Sequence, residues 1–188
     1  MPEKINPHAQ RLYESLIKHV GIQSAERIKN HSPSQTASDK KKFEWAEDIC
    51  STLENEFDEN TIKSIRMDCA CGPSKGHMEE MKKLFNSTES LEEFAKYINE
   101  ANIGATSWCE GQALFFSYPS CYCSCVKKIN RPLSKTWCYC TLGYTKRMFD
   151  YVLGYNTVVE LIESIKTGGS SCIIKISKDK NEGAYDEE

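Results

Sequence analysis

No apolar run in this sequence approaches the roughly 20 residues that a membrane-spanning helix needs. The amino terminus, Met1-Pro2-Glu3-Lys4-Ile5-Asn6-Pro7-His8, carries no apolar core of the kind an export signal has. No basic block is interleaved with aromatics, and a net charge of −3 offers little to a phosphate backbone. The one basic run, Lys40-Lys41-Lys42, falls at a helix start and reads as a solvated face. There is no internal repeat. These absences argue against membrane and nucleic-acid partners and make the cytoplasm, where thiols stay reduced, the expected location.

Cysteine, by contrast, is abundant: ten in 188 residues. A chain of this length buries a core without needing disulfides to fold, and its mean hydropathy of −0.56 fits a solvated surface. The thiols therefore call for a chemical reading. Seven of them fall in three tight groups: Cys69-Ala70-Cys71, Cys121-Tyr122-Cys123-Ser124-Cys125 and Cys138-Tyr139-Cys140. In extended chain, residues two apart share a face, so each pair can converge on one ion or cluster. A disulfide between such close neighbours is strained, whereas thiolate ligands need only meet at a metal. Soft sulfur ligands favour zinc, an iron–sulfur cluster or copper(I). Reversible thiol oxidation is a further reading. The expected metal ligands are Cys121, Cys123, Cys138, Cys140 and Cys172, followed by Cys69 and Cys71. Cys50 lies on an apolar helical stripe and reads as core, and Cys109 is left undecided.

The first half of the chain predicts helices. Asn6-Pro7 is a capped start, Leu12, Leu16, Ile17 and Val20 follow at helical spacing, and Gly21 is a stop. A short helix follows Ser24, and residues 31–37 form a loop. Ser38 or Asp39 caps the next helix, with the stripe Phe43, Ala46, Ile49, Cys50, Leu53 and Phe57. Ile62, Ile65 and Met67 predict a helix ending before Cys69, and two more are expected over 78–85 and 91–99, the last with the capping box Ser90-Leu91-Glu92-Glu93. Further on, strands are expected at 113–118, 157–165 and 171–177, with a strand or turn at 137–141 leading into a helix that stops at Gly154. The fold class is α/β or α+β: a helical region over 1–104, a cysteine-rich α/β region over 105–178 and an acidic tail over 179–188, in one compact unit.

Several flanking residues have both a functional and a plainer reading. The turn Cys71-Gly72-Pro73-Ser74-Lys75-Gly76-His77 could present N–H groups and a Lys to an anion, or simply connect two helices. Lys127, Lys128, Arg131 and Lys135 could lower thiol pKa values or sit in a solvated loop, and His77 is the one histidine beside a cysteine motif. Of Glu160 and Glu163, alternation puts at least one in solvent.

Trp137-Cys138-Tyr139-Cys140-Thr141-Leu142-Gly143, Val152-Leu153-Gly154, Val158-Val159-Glu160, Glu163-Ser164-Ile165 and Gly168 before Cys172-Ile173-Ile174-Lys175-Ile176 together form a pattern. It resembles the end of the 4-vinyl reductase domain and of the L-2-amino-thiazoline-4-carboxylic acid hydrolase-like proteins. The whole chain is also similar to a family of uncharacterised cysteine-rich prokaryotic proteins. The resemblance implies a small-molecule-binding α/β fold, often sensory, with zinc on cysteine in some members. It matches Cys172 to a terminal-strand ligand and Cys121 or Cys123 to one before it. This chain lacks the second Cys expected near 165–167 and carries extra Cys-x-Cys pairs. The expected function is a metal-thiolate sensor, holding zinc or an iron–sulfur cluster and binding a small molecule, working through a partner or as a homodimer. The alternative is a hydrolase or sulfur-handling enzyme using a Cys nucleophile or a metal-activated water.

Overall fold

The computed structural model describes residues 4–29 and 32–180. In chain order the elements are α1 (Pro7–Val20), α2 (Ile22–Lys29), α3 (Asp39–Glu56), α4 (Glu59–Asp68), α5 (Lys75–Asn86), α6 (Leu91–Glu100), β1 (Thr106–Glu110), β2 (Ala113–Tyr118), α7 (Lys135–Leu153), β3 (Thr157–Glu163), a 3-10 turn at Ile165–Thr167 and β4 (Cys172–Lys178). The fold is mixed: helices and one four-stranded antiparallel sheet. His31, part of the expected loop, and residues 181–188 of the expected acidic tail lie outside the described residues.

The helix starts are set by side chains that accept the otherwise unpaired N–H groups of the first turn. Asn6 Oδ1 accepts from His8 N at 2.8 Å, Ser38 Oγ from Lys41 N at 3.3 Å, Asp58 Oδ1 from Asn60 N and Thr61 N at 3.0 Å, and Ser90 Oγ from Glu93 N at 3.1 Å. The Glu93 carboxylate reaches back to Glu89 N, one residue before the position a reciprocal capping box would use. Gly21 ends α1 at φ +85°, where a side chain would be strained.

Two compact units interleave along the chain. The first gathers Met1–Cys71, Cys121–Gly143 and Ile165–Gly168: α1 to α4, the loop before α7, the first turns of α7 and the 3-10 turn. Its core is built from Leu12, Leu16, Phe43, Ile49, Leu53, Ile65 and Trp137. Ser15 Oγ donates to Ile65 O at 2.7 Å, joining α1 to α4.

The second unit comprises Gly72–Ser120, Tyr144–Ser164 and Gly169–Glu188. Its sheet has the order β1-β2-β4-β3. A tight turn at Gly111 (φ +58°) joins β1 to β2, with Glu110 opposite Ala113. Leu114 and Phe116 pair with Ile176 and Ile174, and all four are buried. Phe149 from the later turns of α7 packs edge-on to Phe116 at 5.2 Å. Asn99 of α6 exchanges two 2.8 Å hydrogen bonds with the Ser107 backbone of β1.

The expected strand or turn at 137–141 instead lies within the first two turns of α7. Its aromatic and β-branched content suggested strand, but Ser134 starts a helix there: Ser134 O accepts from Trp137 N at 3.1 Å and Ser134 Oγ from Thr136 N at 3.2 Å. β1 is an element the sequence did not suggest.

Candidate functional site

The first unit holds a polar group in its core, and each member is placed by an identifiable local feature. The Asn6 cap and Pro7 begin α1 so that His8 falls on its buried face. On α4, Arg66 occupies the same stripe as Ile62 and Ile65 and is wholly buried. α3 supplies Trp45 and Cys50, and the first turns of α7 supply Trp137, Cys138 and Cys140. The His8 ring stacks on Trp137 at 4.9 Å, and Trp45 meets Trp137 edge-on at 5.4 Å.

The loop carrying Cys123 and Cys125 is pinned to the helices by charge. Lys128 pairs with Asp39 at 3.1 Å, Arg131 with Glu47, and Ser134 donates to Glu54. Lys166 donates to Ile129 O at 2.5 Å, and Lys135 pairs with Glu59 at 2.7 Å. Two of the four flanking cations, Lys128 and Arg131, thus anchor the loop, and Lys135 ties the start of α7 to α4. Within it, Cys123 O accepts from Val126 N and Lys127 N, which turns the chain and sets Cys125 beside Cys123.

Arg66 is the electrostatic centre. Its guanidinium donates to Thr136 O at 3.3 Å, Trp137 O at 2.9 Å, Cys69 Sγ at 3.2 Å and His8 Nε2 at 3.5 Å, and lies 4.3 Å from the Trp137 ring centroid. It forms no ion pair with a carboxylate among the described residues. A buried, unpaired charge costs several kcal/mol, so a counter-anion is required. Burial alone would lower the Arg66 pKa; neighbouring Cys69, Cys140, Cys50 and Cys123 outweigh it and raise the value.

Cys123 is the thiol whose surroundings most favour ionisation. Its sulfur accepts from the Cys125 thiol, from the Trp137 indole N–H at 3.4 Å and from the Cys125 backbone N–H. The Cys125 bond leads in lowering its pKa to about 6; burial opposes, and Trp137, the Cys125 N–H and Arg66 add to the lowering. Cys125, as donor and as a buried group, is pushed up. Burial raises Cys140 and lifts Cys50 to about 12. Cys69 both accepts from Arg66 and donates to Arg66 O at 3.3 Å. Burial, then Arg66 and Arg11, hold His8 well below its usual value, so its imidazole is neutral.

The expected ligands are distributed differently from an i, i+2 convergence. Cys138 and Cys140 are on a helix, where residues two apart point to different sides. Cys69 caps the end of α4 and is buried; Cys71 follows it and is exposed. Cys121 is half-buried in the loop, and Cys172 stands on β4 of the second unit. None of the ten forms a disulfide. Among the described residues, His8, Cys123 and Cys125 have ligand atoms within 4.8 Å of one another, close enough to hold one metal ion. Only Cys123 of that group was among the expected ligands. His77 lies on α5, with Ser74 Oγ accepting its backbone N–H as a helix cap, the plainer of the two readings. The missed members, His8, Arg66, Cys125, Trp45 and Trp137, had a faint signal: His8 and Arg66 each sit on an apolar helical stripe where a charged or polar residue needs a partner.

Residues 2–182 match a family model throughout. The chain belongs to a family of unknown function, DUF6144. No curated protein matches the sequence. Solved structures similar to this family member are H-NOX domains from Shewanella oneidensis. One, in the Fe(II)CO state, has a TM-score of 0.43 and 10% identity over 94% of this chain and 99% of that one. A crystal structure in the Fe(II) state gives 0.44 and 11% over 96% and 100%, and one in the Fe(II)NO state 0.42 and 10% over 93% and 99%. The expected likeness to the 4-vinyl reductase domain and to L-2-amino-thiazoline-4-carboxylic acid hydrolase-like proteins is therefore corrected: the similar structures are H-NOX domains. The metal-thiolate sensor, read from cysteine spacing together with that likeness, and its hydrolase alternative are withdrawn with it. No helix among the described residues is long and apolar enough to cross a membrane.

Proposed function

We propose that this protein senses small thiol-reactive molecules through the Cys123 thiolate, with Cys125 as its resolving partner. The observation that carries this reading is the Cys123 sulfur, which accepts three hydrogen bonds beside a buried guanidinium that has no carboxylate. A thiolate held this way is the nucleophilic form, and Cys123 is only half-buried, so a small molecule reaches it.

With a hydroperoxide the chemistry balances. The Cys123 thiolate attacks the distal peroxide oxygen and, with one proton, gives Cys123 sulfenic acid and the alcohol. The Cys125 thiol then attacks that sulfur, forming the Cys123–Cys125 disulfide and releasing water. Strain in so short a loop makes the disulfide readily reducible, as suits a reversible signal. A cellular dithiol returns both sulfurs to the reduced state. The reduced cytoplasm is the setting this cycle needs, and a homodimer is the simplest assembly through which it would report.

The test is the rate of modification of each cysteine under limiting hydrogen peroxide, read by mass spectrometry, with exposed Cys71 as the internal reference. Cys123 is expected to react at least tenfold faster than Cys71 at pH 7, Cys125→Ser to stop at a trapped sulfenic acid, and Cys123→Ser to abolish the fast phase. Equal rates at Cys123 and Cys71 would refute the reading. So would zinc or an iron–sulfur cluster, found by elemental analysis of anaerobically purified protein, that blocks both thiols.

A further inference from the structure

A cavity of about 650 Å³ opens in the first unit beside α3. One wall is the segment before α3, which is tied down along its length: Pro33 O accepts from Asn6 N at 3.3 Å, Gln35 N donates to Lys4 O at 2.8 Å, and Ser34 bridges Ile5. The other wall is one face of α3, where Lys41, Glu44, Trp45 and Asp48 recur at helical spacing. The first of these walls is thus held in place by backbone hydrogen bonds.

Its charges are unusual. Glu44 is within 3.8 Å of Lys40, so that carboxylate has a partner. The Lys41 ammonium and the Asp48 carboxylate have none among the described residues, although each is an exposed charge on the same face as the other. Seven residues separate them, about 10 Å along a helix axis. Trp45 lies between them on that face, and its buried indole N–H has no hydrogen-bond partner. A cleft whose charges without an ion-pair partner among the described residues are one cation and one anion, about 10 Å apart, complements a ligand with opposite charges at its two ends. An extended tripeptide spans about that length.

We infer that this cleft binds a short zwitterionic molecule of tripeptide size, with its carboxylate end toward Lys41 and its ammonium end toward Asp48. The hydroxyl of Ser34 lies on the facing wall and supplies a donor or acceptor to the backbone of such a ligand. The site uses no sulfur and is independent of the thiol chemistry proposed above.

Calorimetric titration of the full chain with triglycine tests this. Saturable binding is expected, weakened at least tenfold in Lys41→Ala and in Asp48→Ala, whose exposed positions leave the fold intact by circular dichroism. N-acetyl-triglycine and triglycinamide, each lacking one end charge, are expected to bind at least tenfold more weakly than triglycine. No saturable heat, equal binding by the blocked peptides, or unchanged binding by both variants would each overturn the inference. The same titration on Cys123→Ser separates the two proposals, because the cleft is expected to bind triglycine there as it does in the parent.

Discussion

A single residue, Arg66, sets the chemistry of the first unit. A guanidinium excluded from water must find negative charge, and here the Cys123 thiolate contributes it in place of a carboxylate. The consequence is readable as a dependence of stability on pH. Between pH about 6 and the ordinary thiol value of 9.0, Cys123 is ionised in the folded protein and protonated in the unfolded one. The unfolded state then binds more protons, so stability rises with pH through this window and is lost as pH falls through about 6. Below 6.5, His8 acts in the same direction, since it stays neutral when folded and takes up a proton when unfolded. Above 9.0 the sign reverses, because Cys50, Cys125 and Cys140 resist ionisation only when buried. Urea midpoints measured under reducing conditions are expected to climb from pH 6 to about 8.5 and to decline beyond 9. Cys123→Ser should flatten the climb; an unchanged slope in that variant would assign it to another group.

At the scale of the element, α7 decides the geometry and was the hardest to read. Capping residues made α1, α3 and α6 legible, because Asn6, Ser38 and Ser90 each announce a start and Gly21 a stop, while α4 was legible from the spacing of Ile62, Ile65 and Met67. The strand 113–118 was equally clear from its run of aliphatic and aromatic residues against Pro119. In α7 the local preference points the wrong way: Thr136, Trp137, Tyr139 and Thr141 favour strand, and only tertiary packing overrides them. Reading them as strand put Cys138 and Cys140 on one face, when the helix sends them to different sides. Gly143 records how tightly this helix is seated, since a Cβ there would lie 1.9 Å from Met67 O on the end of α4. Gly143→Ala would improve helix propensity by about 1 kcal/mol, yet backbone overlap of this kind cannot be relieved by a rotamer. A net loss of about 1–3 kcal/mol is expected from chemical denaturation; a stabilised variant would show that α4 and α7 separate without cost.

For the whole chain, each compact unit is assembled from segments far apart in sequence. A boundary near residue 104 was a reasonable reading of composition, but the first unit needs Cys121–Gly143 and the second begins at Gly72. A fragment ending at 104 would keep Arg66 and lose Cys123, Trp137 and the loop that anchors them. It is expected to show helical circular dichroism without a cooperative urea transition; a sharp transition equal to that of the intact chain would indicate a self-sufficient helical unit. The site escaped the sequence for the same reason. Cysteine spacing drew attention to near neighbours, whereas the partners that matter to Cys123 are a histidine on the first helix, an arginine on the fourth and an indole on the seventh.

That wide spacing also gives the protein a clock during its own synthesis. Arg66 and Trp137 stand 71 positions apart, and at ~5–20 residues per second a ribosome needs about 4–14 s to deliver the second after the first. For that interval the guanidinium has no cavity to enter and the α4 stripe no cover. The nascent thiols of Cys50 and Cys69 are open to solvent before their shelter exists. Any oxidant present would therefore find them during translation, and the same insult that the finished molecule registers at Cys123 would, seconds earlier, prevent the molecule from being finished at all.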